Sequence, residues 1–259
     1  MKILICGKGG SGKSTLAVLT AGALAKKGYR ILLVDADESN LGLARLLGLA
    51  DTESISDKLG GKKGAKNKMM TAFSSGMPVF MNKKWRFDDI PPDFYQEKDN
   101  IRLLTIGKIH HFGEGCACAM GGMSKTLLSN LHMEKDEIVI VDTEAGIEHL
   151  GRGVGAGGDL MLVVVDPSYD SFLLARKIDE IGQCIDKSVR FVLNKTDAEV
   201  EELMRAQVDR ERIIACIPET RSVFRDALLG KSLENCPRGI EHICGFIDQY
   251  KSVPGNAVQ

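Results

Sequence analysis

The sequence predicts an α/β fold in which a doubly wound, mostly parallel sheet carries helices on both faces. Three observations lead there. Short apolar, β-branched runs recur along the chain, segments of helix length with 3.6-residue periodicity separate most of them, and a glycine-rich loop stands between the first run and the first helical segment. Because the runs are apolar at successive positions and do not alternate, they read as parallel strands buried on both faces.

Taken in order, strands are expected over 3–6, 31–34, 103–106, 138–141, 160–165, 191–193 and 213–217. Helical periodicity covers 16–27 and 172–183, the second behind a Ser168 or Ser171 cap. Residues at about 50–100 break the rhythm. The stretch from Gly60 to Lys66 and the pair Pro91-Pro92 mark an irregular insertion beside the sheet, an elaboration and not a second domain, whose lysines read as a solvated surface. The whole chain, 1–259, is expected to be one domain ending in a short disordered tail from Ser252.

Composition narrows the function classes. A chain of 259 residues, 44% of them hydrophobic, can bury a large core, while 34 basic against 35 acidic residues give no global attraction to nucleic acid or membrane. No apolar run approaches the roughly 20 residues that span a bilayer, and strand one begins without a signal-peptide core, so a cytoplasmic location is expected. Seven cysteines are an odd number in a core-forming chain, which favours metal binding or free thiols over a disulfide framework.

The loop after strand one reads Gly7-Lys8-Gly9-Gly10-Ser11-Gly12-Lys13-Ser14-Thr15. It fits the G-x-x-x-x-G-K-[ST] phosphate loop of P-loop NTPases. Gly9, Gly10, Ser11 and Gly12 would turn backbone N–H groups onto phosphate oxygens, Lys13 is the phosphate lysine, the Ser14 hydroxyl is placed for Mg²⁺, and Thr15 lies near the inner phosphates. Lys8 is surplus to that pattern. Ligands of open parallel sheets sit beyond the carboxyl ends of the strands, where this chain places Asp35-Ala36-Asp37 and Asp142-Thr143-Glu144-Ala145-Gly146. Asp37 is the candidate to orient or deprotonate an attacking water. Asp142 is the candidate Walker-B carboxylate holding Mg²⁺ through its water shell, Asp35 is a further magnesium-side carboxylate, and Gly146 is a hinge. For the base, Asn194-Lys195-Thr196-Asp197 is compatible with two readings: the N-K-x-D of GTPases, or an Asn that alone contacts adenine. Pro218 and Glu219 would close the base pocket from the other side, or serve only as loop.

The run from Lys8 to Thr15 resembles the deviant Walker A of the MinD/ParA/nitrogenase-iron-protein class of ATPases. The resemblance spans nearly the whole chain and implies a nucleotide-gated homodimer that binds ATP and ADP. In that class two subunits sandwich the nucleotides, and the lysine matching Lys8 reaches the partner's phosphates as charge develops there. Within the class, three segments are similar to the carbon monoxide dehydrogenase maturation ATPases of the CooC type, implicated in nickel insertion: Gly113 to Cys118, Glu144 to Gly153 with its E-H-x-G-R-G run, and Val165-Asp166-Pro167-Ser168. Ala119 departs from the pattern, standing where many relatives have proline. Acetyl-CoA synthase maturation proteins look very similar, so the resemblance implies a nickel-enzyme client of either kind.

Cys116 and Cys118, at i and i+2 between glycines, give one subunit only two thiolates. Around the two-fold axis of the implied dimer they would make four sulfurs, suited to Zn²⁺ or Fe–S, or to Ni²⁺ if the site flattens. The plainer alternative is two free thiols. Cys6, Cys184 and Cys216 read as core, and His110, His111 and His149 as hydrogen-bonding residues. Glu148 and Arg152 are candidates for a nucleotide-sensing switch or a simple ion pair. Three other functions stay open. A GTP-dependent metallochaperone is one, against which Lys8 argues. An Fe–S electron-transfer or carrier ATPase is another, although no cysteine stands between Thr143 and Ile147 where the iron protein has its second ligand. A positioning module on membrane or DNA lacks the amphipathic C-terminal helix and the charge it needs.

Overall fold

The computed structural model describes residues 1–51, 53–61, 64, 84–109 and 118–253. Its main sheet has eight strands: β1 (Lys2–Gly7), β2 (Arg30–Ala36), β4 (Gln96–Lys98), β5 (Ile101–Thr105), β7 (Glu137–Thr143), β8 (Leu160–Val165), β9 (Ser188–Thr196) and β10 (Ile213–Pro218). They lie in the order β10-β9-β8-β1-β7-β2-β5-β4 and are parallel except for the edge strand β4. The chain winds from β1 outward through β2 to β5, returns to place β7 beside β1, then crosses to β8, β9 and β10 on the other side. Winding therefore reverses at β1, and the carboxyl end of β1 is the crevice where ligands of such sheets sit.

Each expected strand is present, because its alternate residues enter different cores. Leu4 and Cys6 of β1, with Val139 and Val141 of β7, belong to one apolar cluster; Ile3 and Ile5, with Ile138 and Ile140, belong to the other. Each such side chain contributes roughly 1.5–3 kcal/mol of burial. The second cluster is covered by α1 (Lys13–Lys26) together with a helix at the carboxyl end, Ile240–Ser252, through Leu16, Leu24, Ile243 and Ile247. The first is covered by the helices Cys118–Asn130 and Tyr169–Cys184, through Met123, Leu127, Ala175 and Ile178. The shorter helices Leu43–Leu47, Ile55–Lys58, Glu148–Gly151, Ala198–Arg205 and Arg221–Leu228 complete the layers among the described residues.

Several expectations change in detail. The helix read over 16–27 begins at Lys13, so it springs directly from the phosphate loop. Ser168 does occupy the N-cap of Tyr169–Cys184 but makes no side-chain cap bond; its hydroxyl donates to Asp166 Oδ1 at 3.0 Å, and Ser171 Oγ accepts from the Asp166 N–H at 3.1 Å. Ser252, read as the start of the tail, is the last residue of a helix. The end of the expected insertion is more regular than its composition implies. Asp99 and Asn100 both take positive φ, 52° and 63°, the pairing that a type I′ hairpin needs, and so turn β4 back along β5. Trp85, Phe87 and Ile90 enter the core, and Trp85–Arg86 (β3) forms a small parallel ladder with Leu131–His132 (β6). Lys62, Lys63 and Lys66 lie outside the described residues. No helix among the described residues is long and apolar enough to cross a membrane.

Candidate functional site

The phosphate loop leaves β1 through Gly7 and enters α1 through Gly12, and both positions demand glycine. Gly7 has φ +146°, and a Cβ there would lie 2.5 Å from the Val164 carbonyl oxygen; Gly12 has φ +100°, and a Cβ there would collide with the Asn194 amide. Within the loop the buried Lys13 ammonium donates to the Lys8 carbonyl at 3.1 Å, and the Ser11 N–H donates to the same oxygen at 3.2 Å. Lys8 and Lys13 part company in their side chains. Lys8 Nζ donates to Ser168 Oγ at 3.1 Å, so the surplus lysine is held by its own chain at the end of β8, away from Lys13.

Of the carboxylates after β2 and β7, Asp142 is the one that meets Ser14. Its hydroxyl donates to Asp142 Oδ2 at 2.6 Å, and the Asn40 amide reaches Ser14 Oγ at 2.7 Å and Asp142 Oδ2 at 3.3 Å. The other oxygen of Asp142, Oδ1, is buried with no hydrogen-bond partner. The Ser14 hydroxyl and the Asp142 carboxylate with its orphaned oxygen are oxygen ligands of the kind that suits a hard divalent cation such as Mg²⁺, which completes its shell with water and phosphate. Asp37 lines the same pocket, and its Oδ1 accepts from the Ser39 hydroxyl at 2.6 Å and the Ser39 N–H at 2.9 Å. Asp35 differs from its expected place. Its Oδ2 meets Lys108 Nζ at 2.7 Å and its Oδ1 accepts from the Asp37 N–H at 3.3 Å, so the cation beside it is an ammonium. Asn40 and Lys108 went unread in the sequence, although Asn40 closes the polar run that starts at Asp35.

Burial pushes the Asp142 carboxyl up to about 7; the Ser14 hydroxyl opposes this, and neighbouring Asp35 adds to it. Burial likewise raises Asp35 to about 6 against the pull of Lys108. Between an unfolded value near 4 and these raised values the folded protein holds more protons than the unfolded chain, so nucleotide-free stability falls as pH rises through that window. Asp142→Asn removes the carboxyl that burial raises further. It is expected to stabilise the nucleotide-free protein at about pH 8 by about 2 kcal/mol, or roughly 4–8 °C, and to change it little at about pH 4. Thermal unfolding at the two pH values checks this, and an equal effect at both would contradict it.

The pocket over the loop has a volume of about 470 Å³, within the range of small-molecule sites. Gly9, Gly10, Gly12, Lys13, Ser14 and Thr15 of the loop line it, as do Asn194, Pro218 and Glu219 with Val223, Phe224 and Ile240. The N-K-x-D residues are already engaged. Asn194 Nδ2 donates to the Ser11 carbonyl at 2.7 Å and Lys195 Nζ to the Gly10 carbonyl at 2.8 Å, bracing the phosphate loop. Asp197 Oδ1 caps the helix Ala198–Arg205 by accepting from the Glu199 and Val200 N–H groups, and Asp197 does not line the pocket.

The segment after Asp142 is tied twice to the carboxyl end of β1. Thr143 Oγ1 donates to the Ile5 carbonyl at 2.8 Å, the Gly146 N–H donates to the Gly7 carbonyl at 3.3 Å, and Glu144 pairs with Arg152 at 2.8 Å. His149 is buried with Nε2 3.7 Å from Cys6 Sγ and Nδ1 without a partner, and burial lowers its pKa to about 4. Cys116, His110 and His111 lie outside the described residues; Cys118 opens a helix, and its side chain lies outside them too. Among the described residues no three His, Cys, Asp or Glu side chains form a metal-holding cluster.

The chain is similar to several known proteins. Residues 2–233 match the model of the family described as "CobQ/CobB/MinD/ParA nucleotide binding domain". An uncharacterised ATP-binding protein of Methanocaldococcus jannaschii is 44% identical over 233 residues, covering 90% of this chain and 94% of its own. The carbon monoxide dehydrogenase accessory protein CooC of Rhodospirillum rubrum is 34% identical over 209 residues, covering 78% and 76%. Among solved structures, the septum site-determining protein MinD of Pyrococcus horikoshii, complexed with Mg-ADP, superposes with a TM-score of 0.69 at 18% identity over 97% of both chains, a likeness of fold.

Proposed function

As the chain belongs to the CobQ/CobB/MinD/ParA nucleotide-binding family, we propose that it is an ATP-hydrolysing, nucleotide-gated dimeric metallochaperone that assists nickel insertion into carbon monoxide dehydrogenase. The single observation that carries the hydrolytic part is the meeting of Ser14, Asp142 and Asn40 beside the phosphate loop, with Asp142 Oδ1 left buried and unpartnered. The 34% identity to CooC supports the client class, and Cys116 with Cys118 supply the thiolates for Ni²⁺ or Zn²⁺ as cargo.

Bound magnesium would neutralise charge on the phosphates next to Ser14 and Asp142. The chain's own groups do the rest. Lys13 exchanges the Lys8 carbonyl for phosphate oxygens, the loop amides orient them at the N-terminus of α1, and Asp37 positions the attacking water and accepts its proton. Lys8 leaves Ser168 and crosses to the phosphates of a second copy, so that turnover requires the dimer. Loss of the γ-phosphate removes the reason for that crossing and lets the subunits part, which changes the spacing of the cysteine pairs.

Asn194, whose amide stands at the wall of the pocket, faces the base, and Pro218 and Glu219 flank it. Asn194 lines the pocket and Asp197 does not, which favours adenine over guanine, because a guanine-reading carboxylate must reach the base to accept from its nitrogens. Phosphate release from ATP is therefore expected to exceed that from GTP by at least about tenfold in kcat/KM. Tighter binding and faster turnover of GTP would replace this reading with a GTP-dependent metallochaperone.

A further inference from the structure

The loop 35–40 is held by a strut that comes from outside it. Lys108, on the segment leaving β5, reaches three oxygens: Asp35 Oδ2 at 2.7 Å, the Asp37 carbonyl at 2.6 Å and the Asn40 carbonyl. An ammonium has three N–H donors and no acceptor, so these oxygens use it fully. Its side chain is only 11% exposed, and that of Asp35 is 4% exposed. One residue further, the Ile109 N–H donates to the Glu38 carbonyl at 3.2 Å, a second tie between the same two segments. The loop so held presents Asp37 and Asn40 to the pocket, and Asn40 in turn touches Ser14 and Asp142. Direct contacts thus run from Lys108 through Asn40 to the serine and carboxylate on the magnesium side.

We propose that Lys108 is a positioning residue that sets the loop 35–40 for Mg²⁺–nucleotide binding and ties the state of that loop to the segment at Ile109. The proposal rests on the nucleotide-site reading above and adds a residue to it. An apolar chain of the same length would leave Asp35 buried without its cation and two carbonyls without a donor, which releases the loop. Arginine would not restore the arrangement, since a planar fork cannot converge on three oxygens around one point. The link is one of place as well as charge. The Ile109 N–H bond to the Glu38 carbonyl joins the backbone of the two segments, so a loop shifted by Mg²⁺–nucleotide carries Ile109 with it.

The test uses the full chain, a fluorescent ADP analogue and the variants Lys108→Met and Lys108→Arg. Without Mg²⁺, both are expected to bind the analogue within about threefold of wild type, because the phosphate loop is untouched; the Mg²⁺ concentration that half-saturates the tightening of binding is expected to rise at least about tenfold in both. Hydrogen exchange at Ile109 gives the second readout: wild type gains protection with Mg²⁺–ADP, and Lys108→Met does not. Neither measurement needs turnover. A wild type that binds nucleotide without hydrolysing it would sink the proposed function and leave this test intact. Wild-type Mg²⁺ dependence and Ile109 protection in a folded Lys108→Met would overturn the proposal. Should that variant fail to fold, the paired variant Asp35→Asn/Lys108→Met, which leaves no uncompensated charge, carries the same comparison against Asp35→Asn alone.

Discussion

Lys8→Ala is expected to keep nucleotide binding and lose hydrolysis. Binding is the work of Lys13, which lines the pocket from the first turn of α1, whereas Lys8 presents only its carbonyl to that lysine and sends its ammonium to Ser168. A carbonyl survives the change to alanine. The lost ammonium is the group proposed to reach the phosphates of the second subunit, where a cation supplied in trans accelerates phosphoryl transfer by about 10³–10⁵-fold in arginine-finger systems. A lysine is a less directional donor than arginine, so a fall of about 10²–10³-fold in kcat, with nucleotide affinity within about threefold, is the expected result. Phosphate release and equilibrium binding measured on the same preparation check it. Retained turnover would return Lys8 to a loop lysine whose business is Ser168.

The second large effect concerns the cargo. Replacing Cys116 and Cys118 together by alanine is expected to abolish stoichiometric binding of Ni²⁺ or Zn²⁺ at neutral pH, while ATP hydrolysis persists. Two thiolates from each subunit are the minimum for a four-coordinate site, so removing the pair removes all four ligands at once. None of the other cysteines, including the exposed Cys184 and Cys236, belongs to a metal-holding cluster of three His, Cys, Asp or Glu side chains among the described residues. Cys6 and Cys244 are buried, with burial pushing their thiols up to about 12 and about 11, and thiols so raised are protonated and poor ligands at neutral pH. Metal analysis of the purified variant decides the matter, and unchanged metal content would sink the cysteine site.

How much of this was readable beforehand depends on the range over which each signal acts. The phosphate loop was legible because its glycines answer a local demand, the positive φ taken at Gly7, Gly10 and Gly12. The strands were legible because burial on both faces leaves uninterrupted apolar runs, as at Leu160–Val165. The edge strand β4 was not, since Gln96, Glu97 and Lys98 carry no apolar signal and are fixed by pairing with β5 across the Asp99-Asn100 turn. Asp35 illustrates the same limit inside the site. A carboxylate at a strand end announces a cation, but only the tertiary fold shows that the cation beside it is Lys108, more than 70 positions along the chain. Asn194 to Asp197 carried a motif whose local sequence gives no sign of the tertiary roles found for it, Asp197 capping a helix and Asn194 bracing Ser11.

The central claim is that nucleotide and metal act on one equilibrium, the meeting of two subunits. Solution mass with bound-metal stoichiometry, measured for the apo, ADP and ATP forms with and without Ni²⁺, tests it most directly. The account predicts a dimer in ATP or with metal, loosening in ADP, and one metal ion per two chains. A protein that stays monomeric in ATP and in Ni²⁺ alike would contradict it.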